Sequence, residues 1–380
     1  MNINELNLEG LPIIFVQLLT SYLFLKMILP KITVQKIETL AGHQDCVYSL
    51  EKFKEKHLFL SCAGDGKIAL WNLKNPELGH LIAQIPSSVY AMRYFEKENA
   101  LIIGQNFEGL QMIFFDENNI PDKTKNKSLR ITNSQIFDIQ IIANQEDNKN
   151  NNQENTLVFV AQGDGVLTIV DLVSFSVKKH LKISNKSLRK IAINSQKNEF
   201  AVASSDNFIR IFDLQTLQLK QEIEAHTNSV FSLRYFSDNQ VDNQNDNQNN
   251  SQNNSQNDND YLISGSRDAH LKIWQKNNQN LHKNHSYELK TDIIAHLFAI
   301  NDIDFSPCRN YFATCSMDKT IKVWDSKTFS LLKVIDKARN ASHATSINKI
   351  LWTDYQTDSQ NYLISASDDK FISVWGINFE

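Results

Sequence analysis

Four histidines, each followed further along the chain by an aspartate, are the residues here best equipped for chemistry. His43 precedes Asp65, His296 precedes Asp318 and His343 precedes Asp369; His226 precedes Asp268 at a longer interval, because a polar insertion intervenes. A histidine beside a carboxylate can serve general acid–base catalysis, and both residue types ligate metals. A Trp follows each Asp six positions on, at Trp71, Trp274, Trp324 and Trp375, inside one recurring pattern: SCAGDGKIALW, SGSRDAHLKIW, TCSMDKTIKVW and SASDDKFISVW. Recurrence at a period of roughly 40–50 residues marks a stacked or radial array, whose units cannot bury their own faces alone.

Other chemical candidates are weaker. His282-x-x-His285 sits in a polar stretch with no third ligand nearby. No H-E-x-x-H, G-x-S-x-G, G-x-x-x-x-G-K-[ST] or G-x-G-x-x-G motif occurs. The four cysteines form no C-x-x-C pair; Cys62 and Cys315 each stand three residues before a repeat Asp and read as small buried strand residues. No metal and no cofactor is implied. Thiols used in this way suit a reducing, cytoplasmic compartment.

The elements that position these residues are strands. Four residues after each of the four His comes an aliphatic, Val47, Val230, Ile300 or Ile347, where an alternating strand begins. Three weaker units lie between Asp65 and His226. Val160–Val170 and Val202–Phe212 keep the Asp, at Asp164 and Asp206, and replace Trp with Val170 and Phe212. The segment Gly104–Phe115 has Glu108-Gly109 where Asp-Gly is expected, and its register stays open. Strand starts match at Val89, Ile136 and Leu188, which makes seven units in an all-β chain. Asp-Gly at 65–66 and 164–165 offers the positive backbone angles of a two-residue hairpin turn. Polar insertions at about 144–155, 237–260 and 276–286, rich in Asn, read as solvated surface loops, since they have too little apolar surface to offset the entropy of ordering.

The bulk numbers agree with one large body. Of 380 residues, 41% are hydrophobic and 10% aromatic, enough for a substantial core, and the formal charge of −4 provides no basic field for general nucleic-acid binding. Residues 1–31 stand apart. Leu11–Pro30 is nearly continuous apolar sequence, long enough for a membrane anchor but poor as a signal peptide, because Glu5 and Glu9 precede it and no A-x-A-like site follows. An anchor at residues 11–29, a cleaved signal, and a mis-assigned start with translation from Met27 or a disordered extension all stay open.

The repeats resemble those of WD-repeat (WD40) proteins, whose units run from Gly-His to Trp-Asp. Gly42-His43 and Trp324-Asp325 keep the two signatures; Ala225-His226, Ala295-His296 and Ser342-His343, with Trp71-Asn72, Trp274-Gln275 and Trp375-Gly376, keep parts of them. The resemblance covers about residues 32–380 and implies a seven-bladed β-propeller of four-stranded antiparallel blades. Ile32–Leu40 would then supply the outer strand that the last blade lacks, closing the ring and removing an open edge. It also implies that His43, Asp65 and Trp71, His226, Asp268 and Trp274, His296, Asp318 and Trp324, and His343, Asp369 and Trp375 form buried hydrogen-bonded networks within blades. Losing one partner from such a network would cost about 1–3 kcal/mol.

By the same resemblance, the residue after each strand-start aliphatic faces the channel entrance: Tyr48, Tyr90, Phe137, Arg189, Phe231, Asn301 and Asn348. The residue before the turn Asp adds Arg267, Met317 and Asp368. Aromatics and Arg are enriched at interaction hot spots, although the same aromatics can simply fill the channel mouth. The expected function is therefore a non-enzymatic scaffold that binds a protein or peptide on this rim, Arg189 and Arg267 selecting an acidic group. The propeller is expected to be a monomer within a complex, without direct nucleic-acid contact, and membrane-bound only if residues 11–29 are an anchor. Two alternatives are a propeller hydrolase or lyase, which would need acids and bases converging on the channel, and a membrane-tethered sensor or assembly factor. At the aligned ring positions such acids and bases are missing.

Overall fold

The computed structural model describes residues 32–77, 79–144, 155–237, 260–277, 286–357 and 360–379. The expectations for residues 1–31, for the interiors of the three insertions and for His282 and His285 lie outside the described residues. Hairpin strands run up to the ends of the three insertions, where Asn144 pairs with Asn155, Ser237 with Asp260 and Asn277 with Ser286.

Seven four-stranded antiparallel sheets form the blades. Their innermost strands are Val47–Lys52, Val89–Phe95, Ile136–Asn144, Leu188–Asn194, Val230–Ser237, Ile300–Phe305 and Ile347–Thr357. The second strands read as nearly continuous apolar runs because both of their faces are covered: every residue of Leu58–Ala63 and of Glu199–Ser204 is buried. Outermost strands such as Ser176–Lys182 alternate and are largely exposed.

Apolar side chains gather between blades rather than within them. Leu60, Ile68 and Leu70 of the first blade pack on Val89, Met92 and Leu101 of the second, and each of the other interfaces has its own cluster. Ile32–Leu40 pairs antiparallel with Ile372–Phe379, from Ile32 opposite Phe379 to Leu40 opposite Ile372. The last blade is thus completed by the first strand, and Leu40, Val47 and Leu50 join Leu351, Ile364 and Val374 in the interface that closes the ring.

The repeat Asp shapes a turn. Asp65 Oδ1 accepts from the Lys67 N–H at 2.9 Å, and Asp164, Asp206, Asp268, Asp318 and Asp369 accept from the residue two positions on in the same way. The residue between is left-handed, whether it is Gly66 (φ 71°), Ala269 (φ 70°) or Lys319 (φ 71°). In the second blade Gly104 pairs with Leu110, which settles its register: the turn is Asn106-Phe107-Glu108 with Phe107 left-handed at φ 67°. There Asn106 ties the turn down instead, donating to Ser88 O and accepting from the Ile136 N–H of the next blade.

Candidate interaction surfaces of the channel

The histidines belong to four copies of one relay. In the first blade the Trp71 indole N–H donates to Ser61 Oγ at 2.8 Å, Ser61 Oγ lies 2.7 Å from His43 Nε2, and His43 Nδ1 lies 3.3 Å from Asp65. Trp274–Ser264–His226–Asp268, Trp324–Thr314–His296–Asp318 and Trp375–Ser365–His343–Asp369 repeat it, each step between 2.8 and 3.0 Å. An indole N–H can only donate, so the hydroxyl accepts it and aims its own proton at Nε2. The ring is then neutral, with its proton on Nδ1 directed at the Asp.

Burial is the main influence lowering the pKa values of His43, His226 and His296, against the pull of their carboxylates. Burial pushes Asp65, Asp268, Asp318 and Asp369 upward, but hydrogen bonds from histidine and backbone N–H groups outweigh it and hold them below the usual carboxylate range. Hydroxyl, imidazole and carboxylate stand in the order of a nucleophilic triad. Ser61, Ser264, Thr314 and Ser365 are nevertheless fully buried and capped by an indole, so no substrate reaches them. Among the described residues no three His, Cys, Asp or Glu converge as a metal site, and no helix is long and apolar enough to cross a membrane.

Each innermost strand is bulged just after its first residue, as between Val47 and Ser49 or Ile300 and Asp302. A bulge re-aims side chains, so two consecutive residues of each strand face the channel. The first forms the ring Tyr48, Tyr90, Phe137, Arg189, Phe231, Asn301 and Asn348, all half-buried around a cavity of about 110 Å³. This is the upper end, shared with the relay histidines and the Asp turns. Tyr48 meets Tyr90 edge-on at 4.8 Å and Tyr90 stacks on Phe137 at 5.8 Å. The Arg189 guanidinium lies 4.2 Å from the Phe137 ring centre and 5.2 Å from that of Phe231, with Nε donating to Ser205 Oγ. Asn301 donates to Ser346 Oγ and Ile347 O; Asn348 donates to Val47 O and to Asp368 Oδ1 at 2.7 Å. Asp368 is thereby turned into the ring, whereas Arg267 and Met317 are exposed.

Beneath the ring the channel is strongly charged, which corrects the expectation that acids and bases are missing there. The second layer holds Asp138, Lys190, Asp302 and Lys349, and the next holds Glu51, Arg93, Arg234 and Asp304. Asp138 accepts from Lys190 Nζ at 3.0 Å and from the Ile191 N–H; Asp302 accepts from Lys349 Nζ at 2.8 Å and from the Ile350 N–H. Each carboxylate thus clamps side chain and backbone of the following blade. Burial pushes Asp138 upward, but Lys190 and Arg93 outweigh it and hold Asp138 at about 2, while burial lowers Lys190 to about 7 against the pull of Asp138. An aligned ring at one offset hid these layers. The signal was present as Asp or Lys two residues after a strand start.

The upper face also carries an apolar patch that aligned positions did not single out. Leu297 (82% exposed) and Phe298 (60%) follow the relay His296, beside Met317 (56%). The Leu297 N–H donates to Asp318 and the Met317 N–H to Ala299 O, which joins loop and turn in one surface. Exposure of several large apolar groups together marks an interaction site more often than a scattered residue does.

Comparison with known proteins follows the repeats. The family model for the WD domain, G-beta repeat, matches residues 34–72, 252–275 and 287–325. The chain is 28% identical over 31% of its length to the protein transport protein sec13 of Aspergillus oryzae, covering 38% of that protein. It is 32% identical over 31% of its length to the nuclear distribution protein PAC1 of Candida tropicalis, covering 21% of it. Retinoblastoma-binding-like protein E of Dictyostelium discoideum matches 77% of this chain at 19% identity, over 54% of its own length. The matches therefore span about a fifth to about half of these relatives. The crystal structure of the WD40 beta propeller domain of Doa1 superposes with a TM-score of 0.64 at 16% identity, covering 90% of this chain and 96% of that one. Three segments of the chain match the WD40 repeat, and its fold is a seven-bladed β-propeller like that of a WD40 domain.

Proposed function

We propose that the chain is a non-catalytic, cytoplasmic scaffold whose upper face binds a protein partner. The observation that carries this reading is that the aromatic ring and the exposed Leu297–Phe298–Met317 patch lie at the same end of the channel. Aromatic and Met side chains at the centre with an arginine at the edge match the make-up of interface cores. Arg267 is exposed and lies close enough to Arg189 to lower the pKa of Arg189, after burial itself. An acidic group on the partner would relieve that repulsion. Glu51, Asp138 and Asp302 beneath the ring are each spent on a neighbouring cation and Asp304 accepts from the Trp352 N–H, an arrangement that favours a structural over an acid–base role. Relatives named for protein transport and for retinoblastoma binding fit a role in assembly.

The test is affinity capture with the full chain beside two variants, Tyr48→Ala/Tyr90→Ala/Phe137→Ala/Phe231→Ala and Leu297→Asp/Phe298→Asp. The reading expects a partner held by the parent chain and lost by both variants while their thermal unfolding stays cooperative. A partner retained by both folded variants would place the binding surface elsewhere.

A further inference from the structure

The lower end of the channel is a different kind of site. It opens into a cavity of about 490 Å³, within the size range of small-molecule pockets. All seven blades contribute to its wall, and its charged residues are Glu51, Lys52, Arg93, Arg234, Asp304, Arg309, Lys349 and Asp354. Five are cations and three are acids. Lys52 is paired with Asp354 at 2.6 Å, Arg93 with Glu51 at 2.5 Å, and Lys349 with Asp302 at 2.8 Å.

Two guanidinium groups remain poorly matched. Arg234 reaches Asp302 and Asp304 only at 3.7 and 3.8 Å, too far for a charge-assisted hydrogen bond, and otherwise donates to Leu233 O at 3.4 Å. Arg309 is half-buried, with no carboxylate in ion-pair distance among the described residues; its guanidinium rests 5.7 Å from the Phe305 ring centre. A guanidinium carries five N–H donors in a planar fork suited to phosphate oxygens. Two such forks, half withdrawn from water and facing a polar hollow, form a receptor waiting for an anion.

We propose that this lower cavity binds a small, freely diffusing polyphosphate compound, its phosphate oxygens held between Arg234 and Arg309. The site is independent of the upper face, so it stands or falls separately from partner binding there. Net positive walls in a confined space also raise the local concentration of such anions.

Isothermal titration of inorganic triphosphate into the full chain at near-physiological salt tests this. Saturable one-to-one binding is expected, weakened at least tenfold by Arg309→Gln and abolished by Arg234→Gln/Arg309→Gln. The milder Arg309→Gln keeps the test valid should the double variant fail to fold. Arg189→Gln/Arg267→Gln at the upper end should leave the affinity unchanged. No saturable binding, equal affinity in Arg309→Gln, or loss of binding in the upper-end variant alone would overturn the proposal. Saturable binding of a phosphopeptide where triphosphate shows none would also overturn it, in favour of a protein ligand at this end.

Discussion

The propeller is built from two unlike arcs. Blades five, six, seven and one form a continuous run in which each blade carries the Trp–hydroxyl–His–Asp relay. Blades two, three and four lack it, yet hold the same four-stranded form and the same apolar interfaces. In the fourth blade Ser184 takes the place of the histidine and bonds Asp206, and Phe212 stands where Trp would be. In the third, Gln162, Thr168 and His180 make a shorter chain. A blade of this propeller is therefore specified first by its inter-blade core, and the relay adds local fixity. The clamps of the channel wall make the same point, since one joins blades three and four in the drifted arc and its counterpart joins blades six and seven in the regular one.

If that comparison is right, the two clamps should matter equally although the arcs differ. Asp138→Ala and Asp302→Ala each strand a buried lysine and a backbone N–H, and each should lower stability by about 3–5 kcal/mol in denaturant melts. A cost for Asp138→Ala below about 1 kcal/mol, on the scale of exposed pairs, would show that the drifted arc is held by other means.

A smaller effect separates the relays. Thr314→Val removes a hydroxyl that accepts from Trp324 and donates to His296, leaving two buried groups unpaired, and should cost about 1–3 kcal/mol. Thr168→Val strands one buried donor, the Gln162 amide, while His180 faces solvent and can turn to water, so it should cost less, about 1 kcal/mol. Equal losses would erase the distinction between the arcs.

The gentlest test is pH. His43, His226 and His296 have folded pKa values below the unfolded value of about 6.5, so the unfolded chain binds more protons as the solution is acidified. Their contribution to stability is complete above about pH 6.5 and declines as pH falls towards their folded values. The relay carboxylates, also depressed, add to the loss only below about pH 4. Hydrogen exchange compared at pH 7.5 and 5.5 should show protection falling first in blades one, five and six, with blades two to four lagging. Uniform loss around the ring would remove the relay from the explanation.

Much of the fold was legible because its determinants are local and repeated. The Asp turns, the apolar second strands and the closing strand Ile32–Leu40 each leave a pattern that a single chain displays. The second blade resisted because Asn106 anchors its turn by bonds to Ser88 and Ile136, contacts with no counterpart in the repeat pattern. The channel was half legible. One offset from the strand starts identifies the ring, but strict alternation turns the following residue away from the channel, and only the bulge brings Asp138, Lys190, Asp302 and Lys349 back into it, although Asp or Lys recurs at that offset. Leu297 and Phe298 were missed for another reason: they sit in a loop, outside any alternating pattern.

Partner binding at the upper face is the central claim, and lysine cross-linking of the captured complex tests it most directly. Lys186, Lys319 and Lys370 are exposed beside the upper ring, whereas Lys52 and Lys197 lie at the lower end of the innermost strands. Cross-links to the partner concentrated on Lys186, Lys319 and Lys370 are predicted. Cross-links concentrated on Lys52 and Lys197 would contradict the account and move the binding surface to the lower end.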